Sequence, residues 1–342
     1  QNSEINDKEE IIMVGFALFG AGVMGTIHAR NVGLHPNYQL IHVVDPMIDG
    51  AQKLTEQFGG TPSSTVDSAL EDDRVDVVII ASTTSVHEEQ VLACVEAGKA
   101  FLCEKPISDS LEGALNCVRA AGDSGIVTAM GFNRRLNYEY RSIYDRVRAG
   151  QVGKVEMIHI VSRSFKAPLP EALHGSGGMI REKGTHFFDL ASWIAASDPQ
   201  EIYAAGACLI DKRFAEYGEV DSASLVMRLE NEAFNFSRRA VFGQDELVEV
   251  VGSEGMLQAG RKPEGNTLLY TESAISTEGI YHSWYEQFKQ TYTAELDMLV
   301  ASLTESTPVH ATLRDGLKAQ AVAEAAIQSI AENRPVTIQK VW

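Results

Sequence analysis

No stretch of the 342-residue sequence is apolar for long enough to cross a bilayer. The most apolar segment, residues 11–25, contains four glycines and falls short of the roughly 20 residues a membrane helix needs. Cysteine is scarce: Cys94, Cys103, Cys117 and Cys208 form neither a C-x-x-C pair nor a Cys/His cluster with zinc-ligand spacing. That excludes a disulfide framework and a structural zinc from the reading, and the four thiols are expected to be reduced and mostly buried. Basic residues are also in short supply, 29 Lys and Arg against 47 Asp and Glu, a formal charge of −18. A field of that sign repels phosphate backbones and anionic headgroups, so neither nucleic acid nor a membrane is expected as a partner. Residues 1–10 are polar and acidic, without the basic region that precedes a secretory apolar segment, and the cytoplasm is the expected compartment.

What the chain does contain is the profile of a globular protein, with 44% hydrophobic and 22% charged residues, and a length that suits two domains. Apolar runs at 13–19, 39–44, 75–81, 100–103 and 126–130 alternate with helical spacings at 23–33, 50–58, 87–98 and 111–121. Runs apolar on both faces suit the interior of a parallel sheet, and the alternation predicts parallel strands joined by crossover helices. Residues 11–131 therefore read as a doubly wound α/β domain of the Rossmann type. After residue 132 the texture changes. Strand patterns at 155–164, 202–209, 222–229, 233–241, 247–252, 255–259 and 267–271 follow one another, with helices at 138–149, 184–196, 285–303 and 313–332. This predicts a second, α+β domain over 132–342 with an open, mostly antiparallel sheet, and a helix at 312–333 able to pack back on the first domain.

The strongest motif is Gly20-Ala21-Gly22-Val23-Met24-Gly25, placed after a strand and opening a helix. Gly20 permits a tight turn, Gly22 lets the backbone approach a pyrophosphate, and Gly25 allows the helix to pack closely on the strand. The N–H groups of the first helical turn, at Val23 and Met24, then face the anion. Asp45 follows Gly25 by 20 residues at the end of the second apolar run. A carboxylate there accepts hydrogen bonds from the adenosine ribose and repels a 2′-phosphate, and no arginine follows to receive one, so the expected cofactor is NAD rather than NADP. Ser82 and Thr83 end the next strand at the carboxyl edge where such sheets meet their ligand, with His87 opening the helix beyond; a plain helix-capping loop is the other reading of these residues. Lys105, within Cys103-Glu104-Lys105-Pro106, ends the following strand over the same edge. A lysine there can exchange a proton with a carbinol oxygen while the carbon loses a hydride, although a single lysine is more often a solvated charge.

The combination of this glycine motif with Glu104-Lys105-Pro106, Gly131-Phe132-Asn133-Arg134-Arg135, Gly177-Gly178 and Gly184-Thr185-His186-Phe187-Phe188-Asp189 resembles the Gfo/Idh/MocA oxidoreductases over most of the chain. The resemblance implies a Rossmann domain followed by a domain whose open sheet serves both the active site and oligomer contacts, and hence a homodimer or homotetramer. It also implies that Lys105 and His186 flank the reacting carbinol, either of them as the principal acid/base, with Glu104 and Lys105 near the cofactor. Where the family often has an aspartate four residues before the histidine, this chain has Glu182. The i, i+4 spacing puts Glu182 and His186 on one helix face, where the carboxylate could orient the imidazole. Lys183 is a candidate substrate contact beside it. Asn133 and Arg134 are expected to reach nicotinamide or substrate hydroxyls, with an ion pair to an acidic neighbour as an equal alternative for Arg134, and Asp189 to make a structural hydrogen bond. The 165–178 loop with His174 and the cluster from Tyr281 to Tyr285 are candidate walls for a flat polyol ring, or else packing at a sheet edge or subunit interface.

These residues together point to NAD-dependent hydride transfer from a secondary alcohol on a sugar, an inositol or a related polyol. A metal-assisted alcohol dehydrogenase lacks its Cys/His ligand set here, so no metal is expected. Two other readings stand beside the dehydrogenase: an NAD-binding regulator without catalysis, and a lyase or glycosidase that oxidises transiently and restores its tightly held NAD.

Overall fold

The computed structural model describes residues 13–164, 167–170, 178–230, 233–239, 245–260, 268–271, 273–277 and 283–342. The first domain is built from β1 (Val14–Phe19), α1 (Val23–Leu34), β2 (Tyr38–Val44), α2 (Ile48–Phe58), β3 (Thr61–Ser63), α3 (Asp67–Leu70), β4 (Val77–Ile80), α4 (His87–Glu96), β5 (Ala100–Cys103), α5 (Leu111–Ser124) and β6 (Thr128–Met130). Its strands are all parallel and lie in the order β3-β2-β1-β4-β5-β6, the doubly wound arrangement whose order reverses between β1 and β4. Strands β1, β4 and β5 are buried at every position, as expected of runs covered by helices on both faces. The edge strand β3, three residues including Pro62, was too short and too polar to stand out from its loop.

The second domain begins after a 3₁₀ turn at Asn133–Leu136 with α6 (Tyr138–Arg148) and β7 (Val155–Arg163). It continues through a π-helical turn at Ile180–Gly184, α7 (Thr185–Ala195), β8 (Pro199–Ala207), a 3₁₀ segment at Lys212–Tyr217, β9 (Ser222–Leu229), β10 (Ala233–Arg239), β11 (Asp245–Gly252) and β12 (Met256–Gly260). A hairpin of β13 (Leu268–Tyr270) and β14 (Ile275–Thr277), the helices α8 (Trp284–Glu305) and α9 (Leu313–Glu332), and β15 (Val336–Thr337) complete the chain. The large sheet runs β12-β11-β7-β10-β9-β8-β15 and is antiparallel except where β10 joins β7. That parallel pair makes the sheet mixed: residues between β7 and β10 supply the crossover through α7 that a parallel neighbour requires.

One face of this sheet is covered. Phe187 and Phe188 of α7 meet Phe234 and Phe236 of β10, with centroid separations from 5.0 to 6.5 Å, all four rings buried. Each such side chain contributes about 1.5–3 kcal/mol through burial. The other face is open. Directly paired across the strands, Tyr203, Val226, Asn235, His159, Glu249 and Gln258 form one row on it, with Asn235 Nδ2 2.9 Å from His159 Nε2.

The division at residue 131 is crossed in space. Helix α8 buries Leu296 and Leu299 in the cluster that holds Phe16, Leu18 and Leu40 of the first sheet. Helix α9 contacts α5 and β6 on one side and α7 and β8 on the other. Just past the division, the Arg135 guanidinium donates to Asp189 at 2.9 and 2.5 Å and to the His310 carbonyl at 3.0 Å. Among the described residues, no helix is long and apolar enough to cross a membrane.

Candidate active site

At the end of β1, Gly20 has φ +99, and a Cβ there would stand 2.6 Å from the Ala81 carbonyl oxygen of the neighbouring strand end. A Cβ on Gly25 would stand 1.9 Å from the Gly20 carbonyl oxygen, so α1 can lie this close to the turn only with glycine at that place. Gly22 differs: a Cβ would meet nothing within 4 Å, because its α-carbon faces open space. It is the N-cap of α1 and caps with no side chain, which leaves the first N–H groups of the helix to a ligand. Val23 is 70% exposed beside it. Asp45 completes the group: Oδ2 accepts from Ala21 N at 2.7 Å and Oδ1 from Met47 N at 2.8 Å. Each oxygen keeps a lone pair for a ribose hydroxyl. A close-approach glycine, an uncapped helix start and a carboxylate at the end of β2 fit a dinucleotide, which Gly20, Gly22, Val23, Met24, Gly25 and Asp45 would hold.

The same carboxyl edge carries Ser82, which donates to Gln90 Oε1 at 2.7 Å, and the exposed Thr83. Beyond them Lys105 projects from the end of β5 toward the π-helical turn. Its Nζ donates to the Glu182 carbonyl at 2.8 Å and approaches Glu182 Oε1 at 3.4 Å. Lys183 Nζ reaches the same carboxylate oxygen at 2.7 Å, so two lysines engage the carboxylate expected to orient His186. A π turn is common at functional sites, and here it places Glu182 and Lys183 side by side with Lys105. His186, one residue into α7, is 6% exposed and meets the Phe132 ring edge-on at 6.2 Å. Lys183 also lies 6.0 Å from the Trp284 ring centroid, and Trp284 meets Tyr285 edge-on. Tyr281 and His174 lie outside the described residues.

Four expected contacts are placed elsewhere. Asn133 is wholly buried; Nδ2 donates to Thr291 Oγ1 at 2.8 Å and Oδ1 accepts from Arg134 at 3.1 Å, so both ends of its amide serve the interior. Arg134 is the ion pair of the alternative reading: it donates to Glu246 Oε1 at 3.0 Å and lies 3.8 Å over the Phe288 ring, with 5% exposure. Glu104 turns its carboxylate inward, where Oε1 lies 2.8 Å from His28 Nε2. His87 is 1% exposed, beneath the edge, with its ring nitrogens against backbone carbonyls. In each case a partner distant in sequence satisfies a group that the local motif left open. His28 itself escaped the sequence reading. Its signal was a histidine on the face of α1 that also carries Gly25, Ala29 and Val32, all buried.

Comparison with known proteins gives the same picture. Residues 14–132 match the family model described as an oxidoreductase family with an NAD-binding Rossmann fold, and residues 145–338 match the family's C-terminal alpha/beta domain. The chain is 30% identical to the inositol 2-dehydrogenase of Rhizobium meliloti (strain 1021), over 95% of this chain and 99% of that one. It is 30% identical to the myo-inositol 2-dehydrogenase of Thermotoga maritima, over 95% and 98%. The crystal structure of a myo-inositol dehydrogenase from Corynebacterium glutamicum superposes with a TM-score of 0.89 at 29% identity, over 96% of this chain and 99% of that one. With both domains matched, the chain belongs to the Gfo/Idh/MocA oxidoreductases and is an NAD-dependent dehydrogenase of CH–OH donors.

Proposed function

We propose that the protein oxidises a secondary ring hydroxyl of an inositol, or of a closely related cyclic polyol or sugar, to the ketone. The observation that carries this reading is the convergence of Lys105, Glu182 and Lys183 on one point of the sheet's carboxyl edge, one helical turn from His186. When bound, NAD supplies the hydride acceptor. The Lys105 ammonium has three protons, of which two face Glu182, and the third is available to the carbinol oxygen. His186 takes the hydroxyl proton as the carbonyl forms, and Lys105 stabilises the charge that develops on oxygen. Glu182 holds Lys105 in place and, with Lys183, presents a charged rim to neighbouring ring hydroxyls. Trp284 and Tyr285 form the apolar side of the ring site.

The open row from Tyr203 to Gln258, with Val226 51% exposed, supports self-association through the second sheet as a homodimer or homotetramer. Light scattering on the wild type and on Val226→Glu tests the assembly.

The test of the reaction is NADH formation from NAD with a panel of inositols, aldoses, glycosides and sugar acids, for wild type and Lys105→Ala. Turnover of an inositol, reduced in the variant by about 10²–10⁴-fold, is the expected result. Tight NAD binding with no turnover of any compound would instead favour a regulator, or a lyase that returns its hydride to the substrate.

A further inference from the structure

Lys105 has a residue on either side of it, and a buried histidine holds each. Glu104, before it, is 5% exposed and places Oε1 2.8 Å from Nε2 of His28, which is wholly buried on α1. Pro106, after it, offers its carbonyl to Nδ1 of His87 at 2.8 Å, and His87 is the first residue of α4. The second nitrogen of His87 lies 3.3 Å from the carbonyl of Ser82. The two histidines therefore come from α1, whose N-terminus is the glycine turn, and from α4, whose entry is the Ser82-Thr83 turn.

We propose that His28 and His87 are positioning residues that clamp the Glu104-Lys105-Pro106 turn to the two cofactor-bearing segments, so that seating of the dinucleotide and placement of the Lys105 ammonium are one mechanical unit. The inference rests on the dehydrogenase reading and adds to it residues that touch neither substrate nor cofactor.

The chemistry of each contact supports the assignment. A bond from His28 to the Glu104 carboxylate is charge-assisted, and in a site closed to water nothing else exchanges with it. Glu295, wholly buried nearby, has its carboxyl pushed up by burial first and by the charge of Glu104 second. At His87, burial holds the imidazole below its ordinary range, so one ring nitrogen carries the proton. The shorter contact assigns that proton to Nδ1, which makes Pro106, rather than Ser82, the hydrogen-bonded end of the clamp. Loss of either bond frees one flank of Lys105, and a displacement near 1 Å at a reacting group costs on the order of 10²-fold in rate.

The experiment compares His28→Leu and His87→Leu with His28→Gln and His87→Asn, whose amide groups stand where Nε2 and Nδ1 do and can restore one donor. NADH affinity, kcat and KM for myo-inositol, and the isotope effect with deuterium on the reacting carbon are measured for each. The leucine variants are expected to lose about 10²-fold in kcat, to bind NADH severalfold more weakly, to show a larger isotope effect, and to keep KM for myo-inositol near the wild-type value. The amide variants are expected to regain a large part of the loss. If a leucine variant does not accumulate, alanine takes its place. Wild-type kcat and NADH affinity in the leucine variants would overturn the proposal, as would a loss that the amide variants do not relieve. If the wild type fails to turn over myo-inositol, the substrate reading has failed, and NADH affinity alone decides the clamp: weaker binding in both variants supports it and unchanged binding overturns it.

Discussion

Replacing Arg134 with methionine removes a cation from the interior while filling much of its volume. The guanidinium now donates to Glu246 at 3.0 Å and to Asn133 at 3.1 Å and covers the Phe288 ring at 3.8 Å; its side chain and that of Glu246 are 6% and 3% exposed. Without it, the Glu246 carboxylate keeps the Tyr140 hydroxyl at 3.3 Å but no longer has that opposite charge. Breaking a buried pair from one side costs about 3–5 kcal/mol. That is a large share of the roughly 5–15 kcal/mol by which domains are stable. Urea unfolding followed by tryptophan fluorescence should show the loss, and Arg134→Met combined with Glu246→Leu should recover most of it, since neither charge is then left alone. A variant within about 1 kcal/mol of wild type that had lost NADH affinity would refute this reasoning and return Arg134 to the cofactor.

Three further outcomes follow from the same structure. Burial first, and Arg135 second, hold His310 at about 4, below its ordinary 6.5, so the unfolded chain takes up this proton before the folded one. Its contribution to stability is complete above pH 6.5 and is lost toward pH 4, by at most about 1.4 kcal/mol per pH unit; His310→Gln should flatten that limb of unfolding free energy against pH, and an unaltered slope would count against it. Asp45→Ala removes a carboxylate that organises the glycine turn and faces the ribose, so NADH affinity should fall about tenfold or more while NADPH approaches NADH in affinity, as titration of both nucleotides would reveal. Gly25→Ala, whose methyl group would stand 1.9 Å from the Gly20 carbonyl oxygen, should abolish NADH binding, whereas Gly122→Ala in α5, which meets nothing within 4 Å, should leave it intact.

Local pattern was sufficient wherever one segment settles its own structure. The buried runs of β1, β4 and β5 and the glycine turn between β1 and α1 were legible because a parallel strand is apolar on both faces and because a tight turn needs glycine at set spacings. Lys105 was legible as a candidate because its motif sits at a strand end, and His186 because the resemblance to the family places a histidine at that position. The parallel joining of β10 to β7 was not, since strand pattern fixes which face is apolar and says nothing of which neighbour a strand selects.

Tertiary structure decided the direction in which polar side chains turn. Asn133 and Arg134 share one motif with the resembling family, yet Thr291 and Glu246, 158 and 112 residues away, draw them inward. Glu104 and Lys105 are adjacent in sequence, but His28 takes one to the interior and Glu182 takes the other to the site. The physical reason is the same in each case: a buried polar group must find a partner, and the partner that closes its desolvation cost is supplied by whatever the fold packs against it. By itself, then, the sequence pointed to a cofactor-binding sheet edge with a lysine at its end, and the resemblance added a histidine at a helix start. Which of the surrounding polar residues face the ring, and which hold that edge together from beneath, was decided by packing.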